Sequence, residues 1–181
     1  MNLEVKIFKD NNVLELLNDK TFIARWEELA NQNQKVTVIQ EPPFVITWYH
    51  QYFNKYQPIL ILGFDKNSKM VGLMPLAFSY EDQYLTHAGY WQAEYHGWLC
   101  KKSFDQDFPI QALIAIKHKL QLKKWQWSWV PPRSQINWLF SSALKKENIH
   151  VRIAEHDSPI LDLSDENKIT RLKKIDLLKR K

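Results

Sequence analysis

The chain has 181 residues, 45% of them hydrophobic and 25% charged, with a formal net charge of +5. That length and composition fit one ordinary folded domain, or one domain and the start of another, and exclude a disordered chain. The single Cys100 excludes an internal disulfide, and no apolar run reaches the ~20 residues that span a bilayer, so the expected setting is reduced and cytoplasmic with no transmembrane segment.

Leu3-Glu4-Val5-Lys6-Ile7 alternates apolar and polar residues and predicts a half-buried first strand. Asn18-Asp19 can cap a helix over residues 21–31, where Phe22, Trp26 and Leu29 share one face. Glu41-Pro42-Pro43 opens a second helix, with proline in the first turn and an acid near the positive end of the dipole. Phe44, Trp48, Tyr52 and Tyr56 then recur every four residues, a stripe that suits either core packing or the wall of a substrate cleft.

Residues 58–80 give the strongest local signal, a β-hairpin. Two apolar runs, 59–64 and 70–78, flank Asp65-Lys66-Asn67-Ser68-Lys69, whose side chains tolerate turn geometry. Pro75 cannot donate to a ladder, so the second arm must run along an edge, a bulge or a bend there. Residues 84–90 and 94–100 predict two further strands, joined through Gly89-Tyr90-Trp91-Gln92.

Asp105 or Asp107 can cap a third helix with Pro109 near its start and Lys117-His118-Lys119 at its C-terminal end. Residues 124–130 predict a strand with Trp125, Trp127 and Trp129 on one face, stopped by Pro131-Pro132. From a Ser134 cap, Ile136, Leu139, Phe140, Ala143 and Leu144 follow helical spacing, and Asn148 suits the C-terminal cap. Ile149, Val151 and Ile153 alternate as a strand, residues 160–163 predict another, and Ser164 caps a final basic helix.

The net charge belongs to that last helix. The final fourteen residues hold seven bases against Asp176 alone, and without them 18 bases face 19 acids. A nucleic-acid-binding domain carries its basic face on the folded body, so no nucleic-acid partner is expected. The predicted fold class is α/β of the α+β kind: a layered domain with a mixed, mostly antiparallel sheet and flanking helices.

Several pieces in this order resemble a known family. They are Trp26 with Leu29; Pro43-Phe44 followed by Trp48; Val71-Gly72-Leu73-Met74-Pro75-Leu76; Glu94-Tyr95-His96-Gly97-Trp98-Leu99; and Ser158-Pro159-Ile160-Leu161-Asp162-Leu163 leading into a Lys/Arg-rich helix. Together they resemble the N-terminal half of GNAT-type acyltransferases of the cellulose-biosynthesis CelD-like branch, relatives of the two-domain Fem-type transferases. The resemblance implies a GNAT-like domain over residues 1–163, with residues 164–181 as the basic helix that begins a second GNAT-like half. It implies N-acyl transfer from acetyl-CoA or another acyl-CoA to an amine of a sugar or cell-envelope precursor, as in polysaccharide biosynthesis. It also implies a partner, the missing C-terminal half or another subunit, without which this chain is expected to be inactive.

That chemistry needs backbone N–H groups at a helix N-terminus for the coenzyme A pyrophosphate, a splayed strand pair for the pantetheine, and a base for the attacking amine. Only Gly63, Gly72, Gly89 and Gly97 are present, and none has the family's phosphate-loop spacing, so the cofactor site is expected to lie outside this fragment or to be built unusually.

The segment 91–98 is densest in reactive types. Glu94 and His96, two apart on one predicted strand face, are the candidate catalytic pair, with Trp91, Tyr95, Trp98 and Arg133 as candidate substrate contacts. The same residues also describe a plain polar strand face with tryptophans packed nearby. Glu94, His96 and His87 lack an established ligand spacing, so no metal is expected. The alternative function is a non-catalytic module that binds a glycan or a protein through its aromatic faces.

Overall fold

A computed structural model describes residues 3–33, 37–93, 96–122, 125–128 and 136–153. In chain order its regular elements are β1 (Glu4–Lys9), α1 (Asn11–Asn18), α2 (Lys20–Asn31), α3 (Pro42–Tyr52), β2 (Tyr56–Phe64), β3 (Met70–Ser79), β4 (Leu85–His87), β5 (Leu99–Cys100), α4 (Asp107–Ala115) and α5 (Ser142–Lys146). Met1–Val151 cluster as one compact unit, and of the second unit, Arg152–Lys181, only Arg152 and Ile153 are described. No helix among the described residues is long and apolar enough to cross a membrane.

The protein is mixed α/β, with, among the described residues, a five-stranded antiparallel sheet and helices on both faces. The sheet runs β1-β2-β3-β4, and β5 also pairs with β3. Both short strands lie on the same edge of β3: β4 opposite Leu76, Ala77 and Phe78, β5 opposite Gly72 and Leu73. Pro75 falls in the break between them, where its missing N–H orphans no partner, and its carbonyl accepts from Ala88 N at 3.1 Å.

β2 and β3 are buried almost throughout because both their faces are covered. Leu60, Leu62, Leu73 and Ala77 face α1, α2 and α3, while Ile59, Ile61, Met74 and Leu76 face α4 and α5. A bulge beside Gly63/Phe64 shifts the register, so Val71 and Met74 end up on one face despite their odd spacing. Past it, Gly63 and Gly72 stand opposite each other, and a Cβ on either would come within 2.6 or 2.5 Å of the Phe108 ring. Two glycines facing each other leave the hollow that α4 fills with that ring.

Local signals explain some boundaries, though α4 starts from Gln106 without the side-chain cap expected of Asp105 or Asp107. The Asp19 carboxylate accepts from Thr21 N at 2.8 Å and starts α2, and Pro42 sits in the first turn of α3. In the hairpin turn Asp65 accepts from Asn67 N at 2.9 Å and Lys69 N at 3.0 Å, and Ser68 takes the left-handed conformation at φ 59°. Tyr49, buried on α3, puts its hydroxyl 3.0 Å from the Ile59 carbonyl and 2.7 Å from that of Leu76, tying the helix to the central strand pair.

Several expectations need correction. Helix α1 was not anticipated, although Val13 and Leu17, both buried, stand four apart. Among the described residues, the strands expected over 84–90 and 94–100 form only Leu85–His87 and Leu99–Cys100. The helix expected from 136 to 144 is two pieces, a 3₁₀ turn (Asn137–Phe140) and α5. The reason is Trp138: it is 5% exposed and Phe140 44% exposed, the reverse of the helical pattern, and Ser141 supplies a second cap by accepting from Leu144 N at 3.4 Å. Ile149, Val151 and Ile153 form no strand, while Asn148 does take the left-handed capping conformation at φ 51°. The elements expected at 160–163 and 164–181 lie outside the described residues.

Candidate functional site

Those candidate residues that are described, Trp91, His96 and Trp98, follow shortly after β4 ends. After His87 the chain turns through Gly89 (φ 101°) and Tyr90 (φ 44°) into a 3₁₀ turn, Tyr90–Gln92. A left-handed tyrosine is strained, and it persists where its surroundings hold it. Tyr84 and Tyr90 join their hydroxyls at 2.7 Å, Tyr56 packs on the Tyr90 ring at 5.8 Å, and a His96 ring nitrogen lies 2.7 Å from the Tyr90 carbonyl. Burial, the Tyr90 hydroxyl and nearby charge raise the Tyr84 pKa, so Tyr84 stays neutral.

His96 has a full set of partners. Its Nδ1 accepts from Ser128 N at 3.0 Å, which leaves the proton on Nε2 to be donated to the Tyr90 carbonyl. It is 2% exposed, and burial lowers its pKa. To take another proton it would have to release Ser128. Its ring stacks on that of His87, with centroids 5.0 Å apart and planes 15° from parallel. His87 lies between two carbonyl oxygens, Ala88 at 2.7 Å and Gly97 at 2.5 Å, and as a neutral ring it can donate to only one at a time. Burial and the neighbouring His96 ring outweigh those carbonyls and bring its pKa down to about 3. The stacked imidazoles thus stitch β4, the 96–97 segment and the 125–128 segment together.

Beyond that stitch, Trp125 forms a parallel bridge with Leu85, and Gln126 N donates to the Leu85 carbonyl at 2.8 Å. Trp98 packs against Trp127 (centroids 6.0 Å) and Trp138 (5.2 Å), and the indole N–H groups of Trp127 and Trp138 are buried without a hydrogen-bond partner.

On the outer side, Gln92 accepts from Trp48 Nε1 at 2.8 Å and donates to the Tyr52 hydroxyl at 2.5 Å, which fixes the 3₁₀ turn to α3. Trp91, between these anchored neighbours, is 73% exposed. Of the aromatic stripe, Trp48, Tyr52 and Tyr56 do meet, at 5.3 and 5.0 Å, although Tyr56 belongs to β2 rather than the helix.

Glu94, Tyr95 and Arg133 lie outside the described residues, and Trp129 with them. Burial pushes the Cys100 thiol up to about 12, so it is no thiolate at neutral pH. Among the described residues no three His, Cys, Asp or Glu side chains are grouped to hold a metal. The partners that matter most around His96, namely His87, Tyr84, Tyr90 and Ser128, are not among the predicted site residues. Two histidines flanking a Gly-Tyr turn were the available signal.

Compared with family models, with curated proteins and with solved structures, the chain matches none.

Proposed function

We propose that this chain is the N-terminal, GNAT-like half of an acyl-CoA-dependent N-acyltransferase acting on an amine of a sugar or cell-envelope precursor. The observation that carries the reading is the strand order. Four antiparallel strands follow in sequence, β1 to β4, and after α4 the chain returns at Trp125 parallel to β4. GNAT-like layering calls for such a parallel pair after the meander, splaying beside the reacting groups. Here the pair meets at Leu85–Trp125 and, farther on, is bridged through His96.

In this reading Glu94 is the general base. His96, with both nitrogens engaged by backbone, is a positioning residue that holds the turn carrying Trp91, and Trp91, Tyr95, Trp98 and Arg133 contact the acceptor.

The acyl-CoA phosphates would be held by a C-terminal GNAT-like half or another subunit. Gly63 and Gly72 are committed to Phe108, and Gly89 to a turn where a Cβ would meet Ala93 at 2.4 Å. Helix α4 begins with Asp107 and buried Phe108 and Pro109, so an acid stands where a phosphate would need positive potential.

Calorimetry and transfer assays test this. The chain alone should show no stabilisation by acetyl-CoA; ~2.7 kcal/mol at 100-fold over a dissociation constant would place the cofactor site here and sink the division of labour. Joined to a C-terminal GNAT-like half, it should release coenzyme A in the presence of an aminosugar, and Glu94→Gln should abolish that release. The exposed Trp91 beside the Gln92 amide and Tyr52 hydroxyl favours one second reading, a non-catalytic glycan- or protein-binding module. Stabilisation by an oligosaccharide, with no turnover in the joined protein, would select it.

A further inference from the structure

At the opposite end of β3 from His87 lies a cleft of ≈ 230 Å³ that the acyl-transfer reading does not use. Its floor is apolar and buried: Leu29 of α2 is 2% exposed and Met70, the first residue of β3, 7%. Cations reach it from three parts of the chain, Arg25 on α2, Lys69 in the hairpin turn and Lys101 just after β5. Arg25 stands one helical turn from Glu28 and Leu29, so helix spacing puts all three on the cleft side. Lys101 is fixed by its backbone, whose N–H donates to the Val71 carbonyl at 2.9 Å.

The lining holds one acid. Glu28 takes Lys69 at 3.5 Å and the Gln32 amide at 2.9 Å, with both charged side chains more than half exposed. Arg25 and Lys101 form no ion pair with any described residue. Asp65, in the same turn as Lys69, is tied up by the backbone N–H groups of that turn, and the charges of Lys101 and Lys69 help to hold its carboxyl below the usual range. The excess of positive charge is local, since residues 1–167 carry 18 bases against 19 acids. Cations that converge over a dry floor on a near-neutral body are poised for an anion that brings its own apolar part.

We propose that this cleft binds a phosphomonoester with an apolar body: the guanidinium of Arg25 and the ammonium groups of Lys69 and Lys101 take the phosphate, and Leu29 and Met70 take the body. A dianion with three acceptor oxygens uses cations arriving from three directions better than a carboxylate does, and arginine matches phosphate in a two-pronged fashion. The proposal stands apart from the acyl-transfer reading and does not depend on it.

The test is an NMR titration of the full chain with phenyl phosphate at constant ionic strength, with benzoate and inorganic phosphate as controls. Phenyl phosphate should move the backbone amide signals of Ser68, Lys69 and Lys101 saturably. Arg25→Gln with Lys101→Gln should weaken binding by about tenfold or more, the loss of charge-assisted hydrogen bonds. Glu28→Gln should tighten it, by removing the one carboxylate of the lining. Both variants alter side chains outside the core, so the spectrum should otherwise stay that of the folded protein. The proposal fails if the shifts match those of benzoate, if the double variant binds like the parent, or if Glu28→Gln weakens binding. Inorganic phosphate binding as tightly as phenyl phosphate would overturn the role of the apolar floor.

Discussion

At the Leu76–Phe78 end of β3, two histidines are buried and bonded inward, His87 between the Ala88 and Gly97 carbonyls and His96 to Tyr90 and Ser128, while the exposed Gln92 is tied to Trp48 and Tyr52. At the Met70 end they are charged and face solvent, with Lys69 and Glu28 more than half exposed and Arg25 unpaired among the described residues. The same strand therefore carries a locked end and an adjustable end. A buried polar group without a partner costs about 1–3 kcal/mol, which forces the first end into one arrangement. Exposed ion pairs contribute about 0–1 kcal/mol, which leaves the second free to exchange partners. The locked end suits positioning, and the adjustable end suits capture of a charged ligand.

The largest effect should come from the packing that both ends share. Phe108→Ala should cost about 3–5 kcal/mol in urea unfolding, because the ring fills the hollow above Gly63 and Gly72. Gly72→Ala alone should also destabilise, its Cβ lying 2.5 Å from that ring, yet the two changes together should cost less than their sum. Strict additivity would show that ring and glycines do not touch in solution.

The next effect separates the ends by pH. His87 is held neutral with its pKa lowered to about 3, and that of His96 is lowered too. A histidine whose folded pKa is depressed binds fewer protons folded than unfolded. Its share of stability is complete above the unfolded value, near 6.5, and drains away as pH falls from there toward 3. His87 alone should cost about 1.4 kcal/mol per pH unit across that window. Imidazole NMR signals should report the His87 ring neutral at pH 5 in the native protein, and His96 titrating below the ordinary histidine value. Either ring titrating near pH 6.5 would unlock the end in our description.

How much of this could be read from sequence depends on how local each cause is. The hairpin was legible because Asp65 to Lys69 build their turn from their own side chains, and the start of α2 because Asp19 caps it two residues away. The break at Pro75 was legible because a missing N–H restricts any ladder. The split of residues 136–144 was not, since it rests on Trp138 being buried by distant Trp98. At the candidate site, the clustering of reactive types in 91–98 was visible. That His96 would spend both nitrogens on Tyr90 and Ser128 was not, because Ser128 arrives from 32 residues away.

A smaller effect probes the hinge between helix and sheet. Tyr49→Phe removes the hydroxyl that reaches the Ile59 and Leu76 carbonyls and should cost about 1 kcal/mol by thermal unfolding, since those carbonyls sit in the central ladder. No loss would mean that the Tyr49 hydroxyl adds nothing to the packing that holds α3 on the sheet.

The smallest stability effect should fall on the most conspicuous side chain of the locked end. Trp91 is 73% exposed, and its backbone is set through its neighbours: Tyr90 by Tyr84 and His96, Gln92 by Trp48 and Tyr52. Trp91→Ala should therefore change unfolding free energy by no more than about 0.5 kcal/mol. This tryptophan, displayed on a strained turn that its surroundings hold at several points, is the side chain we propose for contact with the acceptor. Loss of acceptor or glycan binding in this variant, with unfolding unchanged, would assign Trp91 to recognition. A stability loss of ~2 kcal/mol would instead mean that the turn depends on the indole, and the contrast between the two ends would then rest on the histidines alone.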